Sequence, residues 1–399
     1  MTFFAPSSFA GKGKPISLPQ CGACGLYRGC KSPKMPFTGS ANLNMLVVGE
    51  SPGENEDEQG RQFVGKAGQC LRQLCDEAGF SLDDCWLTNS LICRPPANKL
   101  EDQQIGYCRP NLLNTIAQLK PKVIVLLGGS AVESLIGSEW GGDIGPMSRW
   151  AGYTIPSSKY GCWICPTYHP SFIERSNRDP LLWKTVREHL AQAYKLAKSP
   201  GKAPCCPLDA LKAKVEVITD PRQAKARLMA LAVAEGVLAF DYETTGLKPE
   251  RPEQRIVSAS FCLNGEETFA CMVNGLIPSY LSLVLKNPKL KKVASNLKFE
   301  ERWTRQKLGH GVANWDWDTM LAAHYIDNRP GITSVKFQAY VHLGIGEYDH
   351  WVDEEKKADG ANELNRMAEA NPEDMLMYCG LDSLLEYLVM ERQKGVLGL

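Results

Sequence analysis

Asp241 and Glu243, in the stretch FDYETTGL, stand two residues apart in a segment that reads as a β-strand. Both carboxylates therefore leave one face of a sheet and can share a metal ion. Downstream, SNLKFEERW offers Glu300, and YCGLD sets Tyr378 and Asp382 at i and i+4 of a helix, hence on one face. Four acids and a tyrosine suit two-metal phosphodiester hydrolysis: ions about 3.5–4 Å apart hold the scissile phosphate and stabilise the attacking and leaving oxygens. The tyrosine hydroxyl can orient the attacking water. Asp318 is a competing ligand, and as the residue before TMLAAHYI it also reads as a helix cap.

A second chemistry-bearing stretch, CGACGLYRGC, puts Cys21, Cys24 and Cys30 within ten residues. Clustered thiols in a chain without a secretory leader imply a metal or a cluster, and Cys21-x-x-Cys24 needs further ligands. Cys162-x-x-Cys165 is another C-x-x-C pair, but Trp163 and Ile164 place it in an apolar run leading to His169, so it reads as strand, with zinc as the alternative. The stretch VVGESPGENEDEQGRQFVGKAGQ invites a phosphate-loop reading and fails it. It contains neither G-x-x-x-x-G-K-[ST] nor G-x-G-x-x-G, and the segment between its glycines is acidic. Its glycines and Pro52 suit a tight loop at the carboxyl end of a strand, where open α/β sheets place ligands, and Phe63 is available there to stack on a flat ligand.

These residues need two scaffolds. A chain of 399 residues with 44% hydrophobic and 23% charged residues is globular in balance and too long for one ordinary core. The start, MTFFAPSSFAGKGKP, lacks a charged end followed by an apolar run, and no segment approaches eighteen uninterrupted apolar residues, so secretion and membrane insertion are not expected. A formal net charge of zero neither supports nor excludes a nucleic-acid partner. The boundary falls in KLAKSPGKAPCCPLDALKAK, residues 195–214, which separates a domain over 1–196 from one over 214–399 with a linker at 197–213. Before it, NMLVVGE, CWLTNSLIC, PKVIVLLGG and GCWICPTYHP read as buried strands alternating with helices such as GQCLRQLCDEAG, so a three-layer α/β domain with a mostly parallel sheet is expected. After it, GVLAFDYETTG, RIVSASFCLNG and ETFACMVNG read as a three-stranded meander followed by helices, an α+β order.

The order D-x-E, N-L-K-F-E and Y-x-x-x-D over residues 214–395 resembles the tyrosine variety of DEDD-type 3′→5′ exonucleases, the proofreading domains of family A DNA polymerases. The resemblance extends through WDTMLAAHYID and SVKFQAYVHLG and implies a ribonuclease H-like fold. It further implies Asp241, Glu243, Glu300 and Asp382 as ligands of two Mg²⁺ or Mn²⁺ ions and Tyr378 as the water-positioning residue. The second motif of that family usually ends in Asp; Glu300 is one methylene longer, which implies altered metal preference.

In the first half, G-E-S-P-G, E-D-x-x-G-R-Q-F-V-G-x-A-G, T-N, C-R-P-P and H-P-S resemble, in order, the family 4 uracil-DNA glycosylases. The resemblance implies that Phe63 stacks on an extruded uracil, Asn89 bonds its pyrimidine edge and His169 stabilises the departing base. Glu50 follows the family pattern as a catalytic residue, with Gly49, Ser51 and Ser171 in the substrate loops; Ser51 stands where the family usually has Ala. It also makes Cys93 and Cys108 the partners of Cys21 and Cys24 around a [4Fe–4S] cluster of structural role, whereas four thiolates at these spacings equally suit structural zinc. Cys30 is left as a free thiol or a replacement ligand.

Three functions follow. The chain is a glycosylase fused to an exonuclease acting on single-stranded or 3′-ended, uracil-containing DNA; or the first half is a DNA-binding module without catalysis; or the chain is the proofreading front of a split or truncated family A polymerase, with a DNA polymerase as partner. The cytoplasm of a bacterial or phage-infected cell is the expected location.

Overall fold

The computed structural model describes residues 18–201, 207–360 and 363–399. The N-terminal stretch read as lacking a leader, and linker residues 202–206, lie outside them. The chain divides into two compact units. The first holds the described residues up to 138 together with 142–153 and 159–201, and the second holds 207–360 and 363–399 with the short segments 139–141 and 154–158.

In the first unit, strands β1 (Met45–Gly49), β2 (Trp86–Asn89), β3 (Val123–Leu127) and β4 (Cys162–Thr167) lie in the order β2-β1-β3-β4, all parallel. The two-residue strand Thr38–Gly39 adds antiparallel to β2. Every residue of β1 and β3 is buried, as strands covered on both faces must be. On one face Met45, Val47 and Val125 pack with Leu71 and Leu74 of helix α1 (Lys66–Glu77) and Val186 and Leu190 of α3 (Pro180–Lys198). Between these helices in sequence, α2 (Asp102–Leu119) carries Cys108. Parallel pairing aligns the carboxyl ends of the strands: Gly49 sits opposite Asn89, and Leu127 opposite Thr167.

The second unit is a mixed sheet. Strands β6 (Gly236–Thr244), β7 (Ile256–Leu263) and β8 (Glu267–Met272) form the antiparallel meander that the sequence suggests. Three further strands add in parallel: β5 (Val215–Ile218) beside β8, β9 (Leu290–Ala294) beside β6, and β10 (Trp315–Asp318) beside β9. Strand β9 carries two lysines and β10 alternates Trp with Asp, so neither shows a continuous apolar run. Helices also come earlier than the sequence order suggests, at Pro221–Leu231 and Ile277–Lys286.

Period-two alternation sorts β6. Leu238, Phe240 and Tyr242 enter one core with Phe261 and Trp303, leaving Ala239, Asp241 and Glu243 on the opposite face. That face is covered by the long helix α6 (Pro372–Leu397), capped at its start by Asn371, whose side chain accepts the Glu373 and Asp374 N–H groups. Gly380 lies inside this helix, where glycine costs about 1 kcal/mol relative to alanine. A Cβ there would stand 2.4 Å from Val215 Cγ1, so the glycine is what lets α6 approach β5. Among the described residues no helix is long and apolar enough to cross a membrane.

Candidate active sites

The loop after β1, the end of β2 and the turn after β4 converge on a solvent-open cleft lined by Glu50, Ser51, Phe63, Asn89, His169 and Ser171. It contains every residue of the first half singled out above, apart from the cysteines and Gly49. Gly49 lies directly beneath it: a Cβ at this position would be 2.3 Å from Asn89 Oδ1 and 2.8 Å from Phe63 Cζ. Phe63 is 6% exposed and adopts a left-handed backbone at φ +53°, a costly conformation for an aromatic residue that the surrounding loop must hold. Asn89 donates from Nδ2 to Gln62 Oε1, and Gln62 Nε2 donates to the Pro36 carbonyl. Gln62 thus fixes which end of the Asn89 amide is which, leaving one N–H and the carbonyl oxygen for a ligand. Glu50 accepts the Ser130 hydroxyl at 2.8 Å. The backbone N–H of Ser171 donates to His169 Nδ1 at 3.2 Å, with Ser171 Oγ 2.7 Å away. Nδ1 is therefore the acceptor and the neutral ring carries its proton on Nε2. Burial holds the His169 pKa below its ordinary 6.5, with Glu50 opposing and Arg175 assisting. Gln62 and Ser130 were not legible in the sequence, because each acts through a contact with a residue far along the chain.

The thiols occupy a different corner of the same unit. Cys21–Cys24 forms a single helical turn ended by Gly25 in the left-handed region. Cys21, Cys24, Cys93 and Cys108 line one small cavity with Leu26, Tyr27, Leu91 and Ile92. The Lys34 N–H donates to Cys93 Sγ at 3.3 Å and the Asn111 amide to Cys108 Sγ at 3.4 Å. Burial pushes the Cys93 thiol up to about 12 in the absence of a cation, with Cys30, Cys108 and Cys21 adding to the rise against the Lys34 N–H. Cys30 donates to the carbonyls of Leu26 and Arg94 and does not line the cavity. Cys162 and Cys165 are buried residues of β4, in line with the strand reading.

In the second unit Asp241 and Glu243, on β6, face Tyr378 and Asp382 of α6. Asp241, Glu243 and Cys379 can each bring a ligand atom within 4.8 Å of the others. Burial, followed by the like charge of neighbouring acids, drives the carboxyls of Asp241 and Glu243 well above their ordinary range. Glu300, on α4 (Lys298–Leu308), is driven up for the same reasons. Asp382 rises less, to about 6: burial pushes it up, while hydrogen bonds from Tyr348 and Tyr378 and the charge of Lys356 hold it down. Tyr348, absent from the sequence reading, donates to Asp382 Oδ1 and stacks on Tyr378 with ring centroids 6.2 Å apart. Lys356 pairs with Asp349 at 2.7 Å and lies 4.1 Å from the centre of the Tyr378 ring.

Acids held this close without enough cations call for a counter-charge, and their hard oxygens fit divalent Mg²⁺ or Mn²⁺. Glu300 Oε2, buried and without a hydrogen-bond partner, makes the same demand. Cys379 lies within reach of them, but a thiol sulfur is a poor donor to a hard divalent ion. Asp318 is a cap. Its carboxylate accepts the N–H groups of Met320 and Leu321 in its own helix, α5 (Thr319–Ile326), and those of Asn296 and Leu297 at the start of the segment bearing Glu300.

Comparison with known proteins divides at the same place. Residues 36–197 match the Uracil DNA glycosylase superfamily, and residues 215–392 match a 3′-5′ exonuclease domain. A type-4 uracil-DNA glycosylase of Pyrobaculum aerophilum is 35% identical over 186 residues, covering 44% of this chain and 89% of that protein. The chain belongs, through its first half, to the type-4 uracil-DNA glycosylase family. Its second half is a 3′-5′ exonuclease domain, a class that implies a divalent metal. A DNA polymerase of Bacillus phage SP01 is 24% identical over 356 residues, an alignment that covers 81% of this chain and 37% of the polymerase. Among solved structures, Escherichia coli RNase D overlaps 46% of this chain and 44% of its own, with 14% identity and a TM-score of 0.35.

Proposed function

We propose that this type-4 glycosylase-exonuclease fusion removes uracil from DNA with its first half and degrades DNA from 3′ ends with its second. The glycosylase reading rests on the His169 arrangement. An Nε2–H held by a neutral ring donates to the oxygen on which charge gathers as the base departs, without releasing a proton to it. Phe63 offers a face for an extruded base, and the free half of the Asn89 amide matches the donor and acceptor on uracil's pyrimidine edge. Glu50, half-buried beside His169 and tied to Ser130, is suited to hold water or to stabilise the electron-poor sugar.

The exonuclease reading rests on Asp241 and Glu243 facing Asp382 and Tyr378. Bound divalent ions supply charge neutralisation at the scissile phosphate and acidify water. The chain's own part is to hold the carboxylates on two rigid elements and to aim the Tyr378 hydroxyl, backed by Tyr348 and Lys356, at the attacking water.

The four thiols support an iron–sulfur cluster over zinc. Zinc at about 2.3 Å from each sulfur needs the thiolates packed edge to edge. Among the described residues no three of these sulfurs lie within 4.8 Å of one another, so they are spread around their cavity more widely than one zinc ion requires. N–H groups aimed at Cys93 and Cys108 suit cluster sulfurs. When bound, the cluster ties the N-terminal segment to the loop after Asn89. The cytoplasm fits this thiol-rich composition.

A second reading, that the chain is the front of a split polymerase that works with a DNA polymerase partner, is favoured by one observation: the similarity to the phage polymerase runs through both halves. Purified chain incubated with end-labelled DNA, with and without uracil, separates the possibilities. Metal-dependent shortening from 3′ ends plus alkali-labile sites at uracil supports the fusion enzyme; shortening alone leaves the first half a binding module.

A further inference from the structure

Between Tyr378 and Asp382 the helix α6 carries a residue of different chemistry. Cys379 is buried where the helix covers β6, and it is held from two sides. Its thiol donates to the Asp241 carbonyl at 3.9 Å, and its own carbonyl accepts the Ser260 hydroxyl at 2.7 Å. Ser260 and Ser258 stand opposite Asp241 and Glu243 in the register of β6 and β7, so all four side chains leave the sheet on the face that α6 covers. A carboxylate oxygen of Asp241, one of Glu243 and the Cys379 sulfur lie within 4.8 Å of one another. Both acids are half-buried and open to an ion from solvent, whereas the sulfur is fully buried. Ser258 is a second, independent sign. It is 0% exposed, and its hydroxyl lies against the Cys379 thiol without completing a hydrogen bond. A neutral thiol is a weak acceptor, but a thiolate on a metal accepts strongly, so the unspent Ser258 O–H matches a metal-bound sulfur.

We infer that Asp241, Glu243 and Cys379 form a soft-ion site of mixed oxygen and sulfur ligands, which takes Zn²⁺ or Cd²⁺ in competition with the hard ions of the exonuclease. The inference rests on the reading of Asp241 and Glu243 as divalent-ion ligands and adds a competing state to it. Zinc takes sulfur at about 2.3 Å and carboxylate oxygen at about 2.0–2.2 Å in a four-coordinate shell, so these three atoms need only small side-chain movements and solvent fills the fourth place. As the metal–sulfur bond forms, the thiol proton leaves to solvent and the thiolate accepts the Ser258 O–H. Mg²⁺ and Mn²⁺ gain little from sulfur, so Cys379 separates the two classes of ion. A soft ion seated here occupies Asp241 and Glu243 and keeps the hard ions from both.

Displacement of Mn²⁺ by Zn²⁺ in the full chain tests this. The EDTA-treated protein is loaded with Mn²⁺, free Mn²⁺ is read by electron paramagnetic resonance, and Zn²⁺ is raised at free concentrations fixed by a chelator that does not bind Mn²⁺. Fixing the free ion keeps uptake by the N-terminal thiols out of the measurement. Zn²⁺ should release Mn²⁺ from the wild type. In Cys379→Ser the Zn²⁺ affinity, taken relative to the variant's own Mn²⁺ affinity, should fall by at least the about 10- to 100-fold that loss of a residue hydrogen-bonded to a metal ligand costs. An unchanged ratio, or Mn²⁺ that Zn²⁺ fails to displace from the wild type, overturns the soft-ion site and leaves the exonuclease reading standing. No Mn²⁺ binding by the wild type overturns both. Cys379→Ala is the second variant should the serine fail to fold in a metal-free melt. A fallen ratio in it supports the inference, and an unchanged one overturns it.

Discussion

The cleft beside His169 and the acid cluster beside Asp241 are built on opposite electrostatic plans. In the cleft the polar groups arrive already paired: Asn89 with Gln62, Glu50 with Ser130, His169 with Ser171. In the cluster, carboxylates crowd together with buried oxygens left unpaired on Glu300 and Glu386. A paired site is pre-organised and needs nothing further before a base enters it. An unpaired one stores electrostatic cost that a cation relieves on binding. The difference teaches how to read the two halves: hydrogen-bond geometry sets the first, and charge balance sets the second.

The sharpest way to break the contrast is to remove charge from the second half. Asp241→Ala with Glu243→Ala should abolish 3′→5′ degradation, leave uracil excision at the wild-type level and lower the metal-free melting temperature little, since it removes crowded like charges. Digestion of end-labelled DNA and a thermal melt check both parts; undiminished digestion would sink the assignment of these ligands.

Next in size is the thiol cavity. Cys93→Ser should cost the chain its iron and acid-labile sulfide and destabilise the first unit far more than the second, read by metal analysis and by limited proteolysis mapped along the sequence. Colourless wild-type protein with stoichiometric zinc would reverse the choice of metal.

A smaller, graded loss is expected in the cleft. Asn89→Ala leaves a base edge unpaired, a cost of about 1–3 kcal/mol, and should slow uracil excision by roughly 5- to 150-fold while exonuclease turnover on uracil-free DNA stays constant. Equal losses in both activities would show that Asn89 acts on folding and not on the base.

The mildest effect concerns pH. Because burial lowers the His169 pKa, its ring is neutral above 6.5 and protonates only at lower pH. The acid limb of uracil excision assigned to His169 should therefore lie below pH 6.5, and be missing in His169→Gln, whose residual rate should not vary across that range. An acid limb at or above 6.5 would contradict a neutral His169.

Much of this was legible in spacing. Asp241 and Glu243 share a strand face because strand periodicity is two, and Tyr378 and Asp382 share a helix face because helix periodicity is near four; both relations are local and hold wherever the element packs. The buried strands β1 to β4 announced themselves by continuous apolar runs, and Asp318 by its place before a helix. Strand β9 and the edge strand β10 did not, since lysines and aspartates interrupt them.

Glu386 shows where such reading stops. Its spacing from Asp382 is as regular as that of Tyr378, but a glutamate on a helix is ordinarily solvated, and only the packing of α6 against β6 and β9 decides that this one is buried at 2% exposure. Gln62, Tyr348 and the steric role of Gly49 belong to the same class. The sequence by itself determined which residues share an element's face, because backbone geometry repeats over a few residues. Only the tertiary structure decided which faces meet and which buried oxygens are left without partners, because those contacts join segments tens of residues apart and depend on how closely the elements pack.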